Sequence, residues 1–155
     1  SLIRGEIVET RPPGGAHGVI AIAFGTPLRL WAKERRAGAV GGESGFILAR
    51  SPDVVRGPDV YFVRAERLPE GRPPRQFWEG YPDLAVEIVS PSESAQDVRD
   101  YLAVGTPLVW VASPVTREVI AHTPDGLART FREDDLLVAP DVLPGFSSLV
   151  RDLFE

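Results

Sequence analysis

The sequence predicts a single α/β domain over residues 1–155, with a central mixed β-sheet flanked by helices. Three observations support this fold class. The segments run in the order strand, helix, strands, helix, strands, which is typical of layered α/β domains. An almost continuous apolar run at residues 84–90 has the character of a strand buried on both faces. The length of 155 residues is ordinary for one compact domain.

The N-terminal half supplies a strand, a long helix and two further strands. Ile3 to Glu9 has the length and the branched residues of a strand. Apolar residues then recur at helical spacing from Ala16 to Arg36, which predicts a helix, and Pro27 should bend it. Residues 45–49 and 59–63 are predicted strands separated by a turn.

The C-terminal half begins with the buried strand at 84–90, followed by a short helix that ends at Val104-Gly105. Residues 108–112 again have the character of a buried strand, and residues 118–131 form a predicted hairpin turning at a Pro-Asp-Gly sequence. Glu87 is the exception to the apolar pattern. It places a carboxylate inside a central strand, and a buried charge needs a partner.

The composition excludes several classes of functional site. The chain has no cysteine, which excludes disulfides, thiolate zinc sites, iron–sulfur clusters and cysteine nucleophiles. The two histidines, His17 and His122, lack the spacing of a zinc motif. A bound metal would therefore need carboxylate ligands, which favours Mg²⁺ or Mn²⁺. The longest apolar run, residues 18–24, is too short to span a membrane, and we expect a cytoplasmic protein.

The charge is unevenly distributed along the chain. The net charge of −5 argues mildly against nucleic acid as a partner. However, residues 29–75 carry ten basic and six acidic side chains, whereas residues 76–155 carry five basic and fourteen acidic ones. This asymmetry is compatible with one basic face on an acidic protein, and equally with a set of solvated arginines.

Three carboxylates are the candidates for chemistry. Asp59 follows a proline at the start of a predicted strand, and Glu87 lies in the middle of another, so the sheet could bring them side by side. Two neighbouring acids repel each other unless a cation compensates, and a divalent metal between them would assist phosphodiester hydrolysis. Glu6, on the first strand, could supply a third carboxylate. From spacing alone, a structural or surface role for any one of them stays open.

The sequence resembles the Uma-type family of putative restriction endonuclease domains, within the PD-(D/E)XK nuclease superfamily. The order and spacing of the matching pieces over the whole chain make the resemblance specific. They are Gly5-Glu6-Ile7-Val8-Glu9 with the prolines and His17-Gly18 that follow, Gly45-Phe46, Arg56-Gly57-Pro58-Asp59-Val60, Pro82 to Ser92, Asp100 to Pro107, Val109-Trp110-Val111 and Leu143-Pro144-Gly145-Phe146.

The resemblance implies a restriction-endonuclease-like fold and a Mg²⁺-dependent endonuclease acting on DNA. Asp59 would be the acid of the PD half-motif, Glu87 the acid of the (D/E)XK half and Glu6 an upstream helper, all three catalytic and all three metal ligands. The carbonyl of Ile88 would be a further ligand. Apart from the resemblance, His17 and Arg99 are candidate nucleic-acid contacts. Arg99 could offer a positive charge to a phosphate, and His17 could lie near the active site, although packing against a turn is the commoner role of a histidine at the start of a helix.

One departure from the superfamily pattern concerns its lysine. The position two residues after Glu87 is Val89, and the helical segment up to Tyr101, where the family pattern places this lysine, also contains none. Arg99 cannot replace a lysine base, because a guanidinium stays protonated. This departure supports an alternative, a nucleic-acid-binding or interaction module that keeps the nuclease fold without turnover.

Two further expectations concern aromatic residues and assembly. Trp31 and Trp110 are predicted core residues, whereas Trp78, in a loop rich in proline and glycine, is the tryptophan best placed to stack on a base. A third alternative for the chain is a structural domain in a larger assembly. A homodimer that buries the edge holding Asp59 and Glu87 would favour it.

Overall fold

The computed structural model describes residues 14–155 and, before them, the backbone of two short strands. In this part of the chain the helices are α1 (Gly15–Arg35) and α2 (Pro91–Val104), with 3-10 turns at Ala65–Arg67, Pro69–Gly71 and Val150–Phe154. The strands are β1 (Leu2–Ile3), β2 (Glu6–Ile7), β3 (Gly38–Gly41), β4 (Phe46–Ala49), β5 (Val54–Arg56), β6 (Val60–Arg64), β7 (Trp78–Glu79), β8 (Leu84–Ile88), β9 (Leu108–Ser113), β10 (Glu118–His122), β11 (Ala128–Phe131), β12 (Leu136–Val138) and β13 (Ser147–Leu149).

The central sheet has six strands in the order β11-β10-β9-β8-β6-β3. Strands β8 and β9 run parallel, and the other neighbours are antiparallel. A parallel pair needs a crossover connection, and α2 supplies it. The predicted mixed sheet flanked by helices is therefore confirmed.

A second sheet packs beside the central one. Its strand order is β2-β1-β5-β4-β7, with β4 and β7 parallel and the other neighbours antiparallel. Strand β5 of this sheet ends at Arg56, three residues before Asp59. The second sheet thus ends close to the candidate carboxylates.

The two faces of the central sheet bury different sets of apolar side chains. Alternate residues of β8, Leu84, Val86 and Ile88, pack with α1 and the C-terminal segment, whereas Ala85 packs in a second core with α2 and the second sheet. This period of two is the normal geometry of a strand. It places the side chain of Glu87 on the face of the sheet that Ala85 occupies, toward α2.

The predicted helices agree with the structure to within a residue at most of their ends. Helix α1 spans Gly15–Arg35 despite the internal Pro27. Helix α2 ends at Val104 because Gly105 adopts a left-handed conformation with φ of 115°, in which its N–H group bonds back to the Leu102 carbonyl. The buried strand at 108–112 and the hairpin at 118–131 are also present.

The single N-terminal strand predicted over Ile3 to Glu9 is wrong. Leu2–Ile3 instead pairs antiparallel with Glu6–Ile7, so these two dipeptides belong to two strands and not to one. The intervening Arg4 and Gly5 lie outside the described residues.

The base-stacking role predicted for Trp78 is also wrong. Its side chain is 5% exposed, its ring stacks on Phe46, and its indole N–H donates to the Tyr61 hydroxyl at 3.2 Å. Trp31 and Trp110 are buried as predicted. The prolines and glycines around Trp78 indicated a loop, whereas Trp78 begins the strand β7, which pairs with β4.

Across the described helices, none combines the length and the apolar character needed to cross a membrane.

Candidate active site at the edge of the central sheet

Asp59 is bonded to strand β8 on both sides of Glu87. Its backbone N–H donates to the Val86 carbonyl at 3.0 Å, and its carboxylate Oδ2 accepts from the Ile88 N–H at 2.7 Å. The Asp59 side chain therefore accepts a hydrogen bond from β8 at the point where the pairing between β6 and β8 ends. This arrangement brings the two predicted acids together across the strand pair.

Glu87 is a buried carboxyl group, with the residue 6% exposed. Burial raises its pKa well above the usual value, and the charges of Asp59 and Asp97 raise it further. The Tyr101 hydroxyl and the positive charge of Arg56 act in the opposite direction. The Tyr101 hydroxyl is itself buried and makes no hydrogen bond of standard geometry, so it does not fully satisfy the carboxyl group.

Asp59 is partly exposed, at 17% of its side chain, and contacts the first turn of α1. His17 Nε2 lies 3.0 Å from Asp59 Oδ1, a hydrogen-bonding distance. Burial raises the pKa of Asp59, while the Ile88 N–H and His17 partly offset that rise. Both oxygens of this carboxylate are thus held, one by the sheet and one by the helix.

A set of charged residues beside Glu87 was not identified from the sequence as part of the site. Arg56 Nη1 lies 2.7 Å from Asp97 Oδ1, and Arg56 Nη2 lies 2.6 Å from Asp100 Oδ2. The Gln96 amide donates to Asp100 Oδ1 at 2.8 Å. Arg56 stands three residues before Asp59, whereas Asp97 and Asp100 lie on α2. No local signal in the sequence links Arg56 to the two acids, because they meet only through the packing of the second sheet against α2.

Arg99 does not join the two acids in the described structure. It lies exposed on α2, and its guanidinium donates to the Gln96 side chain at 3.0 Å. Its position on the surface leaves a phosphate contact as a prediction. The role predicted for Glu6 also stays a prediction, because only its backbone in β2 is described and its side chain lies outside the described residues.

One cavity lies beside the candidate site and another lies at the opposite end of the central sheet. A cavity of about 560 Å³ opens beside Asp59 between α1 and β3, and Arg29 is among its lining residues. Another cavity, of about 510 Å³, lies near Leu108 and Arg64, beyond the opposite ends of the same strands. Only the first of these two borders a predicted site residue.

The donors at the edge of the sheet are oxygens, and they suit a hard divalent cation. Two mutually repelling carboxyl groups with raised pKa values gain most from such a cation. Within the described residues, no group of three or more histidine, aspartate or glutamate side chains is arranged to hold a metal ion. A cation held by Asp59 and Glu87 would therefore need further oxygen donors.

A central mixed sheet, a helical crossover between its parallel strands and a pair of acids at its edge define the restriction-endonuclease-like class of fold. Among solved structures, the chain is similar to a putative nuclease belonging to DUF820 from Anabaena variabilis ATCC 29413. The TM-score is 0.85 at 22% sequence identity, over 98% of this chain and 87% of that one. This similarity confirms the predicted fold class.

The family is identified by a match to nearly the whole sequence. The model of the Uma2 family, described as "Putative restriction endonuclease", matches residues 1–152, and the chain belongs to this family. No significant match was found among curated protein sequences. The family resemblance drawn from the sequence motifs is thereby confirmed.

Proposed function

We propose that the chain is a Mg²⁺- or Mn²⁺-dependent endonuclease that hydrolyses DNA phosphodiester bonds, with Asp59 and Glu87 as its metal-binding carboxylates. The observation that carries the proposal is the bonding of Asp59 to β8 on both sides of Glu87. It juxtaposes two partly or fully buried acids that repel each other. Membership of a restriction endonuclease family and the nuclease description of the similar structure support the same reaction class.

The residues of the site divide the work of binding and orientation. Asp59 and Glu87 would hold the cation, with the Ile88 carbonyl and Glu6 as further donors. When bound, such a cation activates the attacking water and stabilises the charge that develops on the phosphate. The Ile88 N–H and His17 fix the orientation of the Asp59 carboxylate. Burial of Glu87 keeps its carboxyl group out of bulk water, which strengthens its attraction for a cation.

Positive charge for the DNA backbone would come from residues around the site. Arg29 lines the cavity beside Asp59, and Arg99 is exposed on α2. A protein with a net charge of −5 needs such local basic groups to bind DNA, because phosphate contacts dominate affinity. DNA binding should therefore weaken steeply as salt is raised.

A second candidate function is a binding module that keeps the fold without turnover. One observation favours it, since α2 contains no lysine along its whole length. Arg56 is the basic residue whose positive charge lowers the pKa of Glu87, and a guanidinium cannot act as a base.

The test is cleavage of plasmid, linear duplex and single-stranded DNA in Mg²⁺ and in Mn²⁺. Asp59→Asn removes one proposed ligand, and Asp141→Asn is a matched control on an exposed aspartate at the other end of the sheet. We expect cleavage by the parent and by the control and none by Asp59→Asn. DNA binding without cleavage by the parent would favour the binding module, and neither binding nor cleavage would contradict both functions.

A further inference from the structure

Arg56 is a buried cation next to the proposed active site. Its side chain is 8% exposed, although it stands at the end of strand β5 near the boundary of the second sheet. Burying an arginine is costly unless its charge and its hydrogen-bonding groups are matched. Its position therefore requires an explanation from its surroundings.

Two carboxylates of α2 match the guanidinium. Asp100 Oδ2 accepts from both Nε at 3.2 Å and Nη2 at 2.6 Å, while Nη1 lies 2.7 Å from Asp97 Oδ1. A planar guanidinium can serve two carboxylates in this way, whereas a lysine ammonium lacks the fork of donors. Arg56 consequently ties the second sheet to α2 through two acids at once.

Asp97, one of these two acids, interacts electrostatically with the proposed metal ligands. The charge of Asp97 raises the pKa of Glu87, and the charge of Asp59 raises that of Asp97, after the larger effect of burial in each case. Arg56 opposes both shifts. Asp59, Glu87, Asp97 and Asp100 thus form an acidic cluster with one guanidinium inside it.

Asp97 is both partly exposed to solvent and paired with Arg56. Its side chain is 25% exposed, so solvent ions can reach it, yet its Oδ1 is engaged by Arg56. In the described part of the chain no third carboxylate joins Asp59 and Glu87 in a metal-binding arrangement. The guanidinium is paired with the two acids of α2, Asp97 and Asp100.

We propose that Arg56 is a positioning residue that engages Asp97 and Asp100 and thereby limits the acidic cluster to one divalent cation, at Asp59 and Glu87. This inference rests on the proposed function, because it specifies how many ions that site takes. It also gives the site a fixed positive charge close to its carboxylates, in a chain whose α2 has no lysine.

The test is titration calorimetry with Mn²⁺, which reports the number of ions bound and their affinity. We expect one ion for the parent protein. Arg56→Gln removes the positive charge paired with Asp97 and Asp100 and should bind a second Mn²⁺, whereas Arg56→Lys keeps that charge and should bind one ion. Asp97→Asn should also bind one ion, because Asp97 is not a ligand and Arg56 still engages Asp100.

A matched control is Arg67→Gln, which removes another arginine paired to a buried aspartate, Asp83, at the opposite end of the sheet. It should lower thermal stability and leave the Mn²⁺ count unchanged. A parent that binds two ions, or a folded Asp97→Asn variant that binds none, would overturn the inference. So would a folded Arg56→Gln variant that still binds one ion with parental affinity.

These outcomes separate the two proposals. A parent that binds no Mn²⁺ at all contradicts the proposed metal-dependent function, whereas a parent that binds two ions contradicts only the role of Arg56. If Arg56→Gln does not fold, the parent and Asp97→Asn titrations can still overturn the inference, through two ions bound by the parent or none bound by Asp97→Asn.

Discussion

Each end of the central sheet buries a carboxyl group, but the two carboxyl groups have different partners. At one end, Asp83 is 4% exposed and accepts from the Arg64 N–H at 2.8 Å and from Arg67 Nη1 at 2.9 Å. At the other end, Glu87 is 6% exposed and faces Asp59 and Asp97, with the Tyr101 hydroxyl short of standard hydrogen-bond geometry. The first carboxylate is satisfied by the protein, whereas the second faces other acids, and under the proposed function a cation would compensate that repulsion.

Burial alone therefore does not distinguish a structural acid from a functional one. The partners of the carboxylate distinguish the two cases. A buried carboxylate that already has hydrogen-bond donors contributes to the stability of the fold, whereas one opposed by other carboxylates lowers stability until a ligand binds. A substitution at one end of the sheet should therefore have effects that a substitution at the other end does not.

The largest effect on stability is expected from Asp83→Asn. It leaves Arg67 without its buried partner and replaces a strong acceptor of the Arg64 N–H by a weaker one, so the free energy of unfolding should fall by about 3 kcal/mol. Urea unfolding measures this loss. Mn²⁺ binding to the folded fraction should stay parental, and a weakened affinity would show that the two ends are not independent.

A smaller effect, on metal binding, is expected from His17→Ala. The imidazole holds Asp59 Oδ1, and loss of a group that orients a ligand should weaken Mn²⁺ binding about tenfold. His17→Gln retains a donor and should recover most of the affinity. Tighter binding by His17→Ala would instead mean that His17 competes with the cation for Asp59.

The smallest effect is a pH-dependent change in stability, expected from Glu87→Gln without metal. Because the folded-state pKa of Glu87 is raised above its usual value of 4.5, the folded protein binds this proton more tightly than the unfolded chain does. Stability from this group is present below pH 4.5 and is lost as pH rises through the folded-state pKa.

Glu87→Gln removes this loss, so it should stabilise the metal-free protein by about 1 kcal/mol or more at alkaline pH and by almost nothing near pH 4. Urea unfolding in a chelating buffer at several pH values measures the difference. A stabilisation that does not change with pH would show that the pKa of Glu87 is not raised.

Most strands of the central sheet and both helices could be predicted from the sequence because their signals are local, whereas β3 was not predicted and β5 lies where a turn was expected. Helical spacing gave α1 despite Pro27, and the continuous apolar run gave β8 with its buried acid. Trp78 and the N-terminal strand were mispredicted, because stacking on Phe46 and pairing between β1 and β2 depend on neighbours that no short window contains.

The site could be predicted only in part, for the same reason. Asp59 and Glu87 were identified through strand position and family resemblance, and the structure brings them together with His17. The group formed by Arg56 and Asp100 was missed, because its members are 44 residues apart and meet only when the second sheet packs against α2.

The most direct test of the metal site is Mn²⁺ titration calorimetry on the parent, Asp59→Asn, Glu87→Gln and Asp83→Asn. The parent and Asp83→Asn should bind Mn²⁺, and the first two variants should lose binding while remaining folded. Equal binding by all four proteins, or loss of binding only in Asp83→Asn, would contradict a cation site at Asp59 and Glu87.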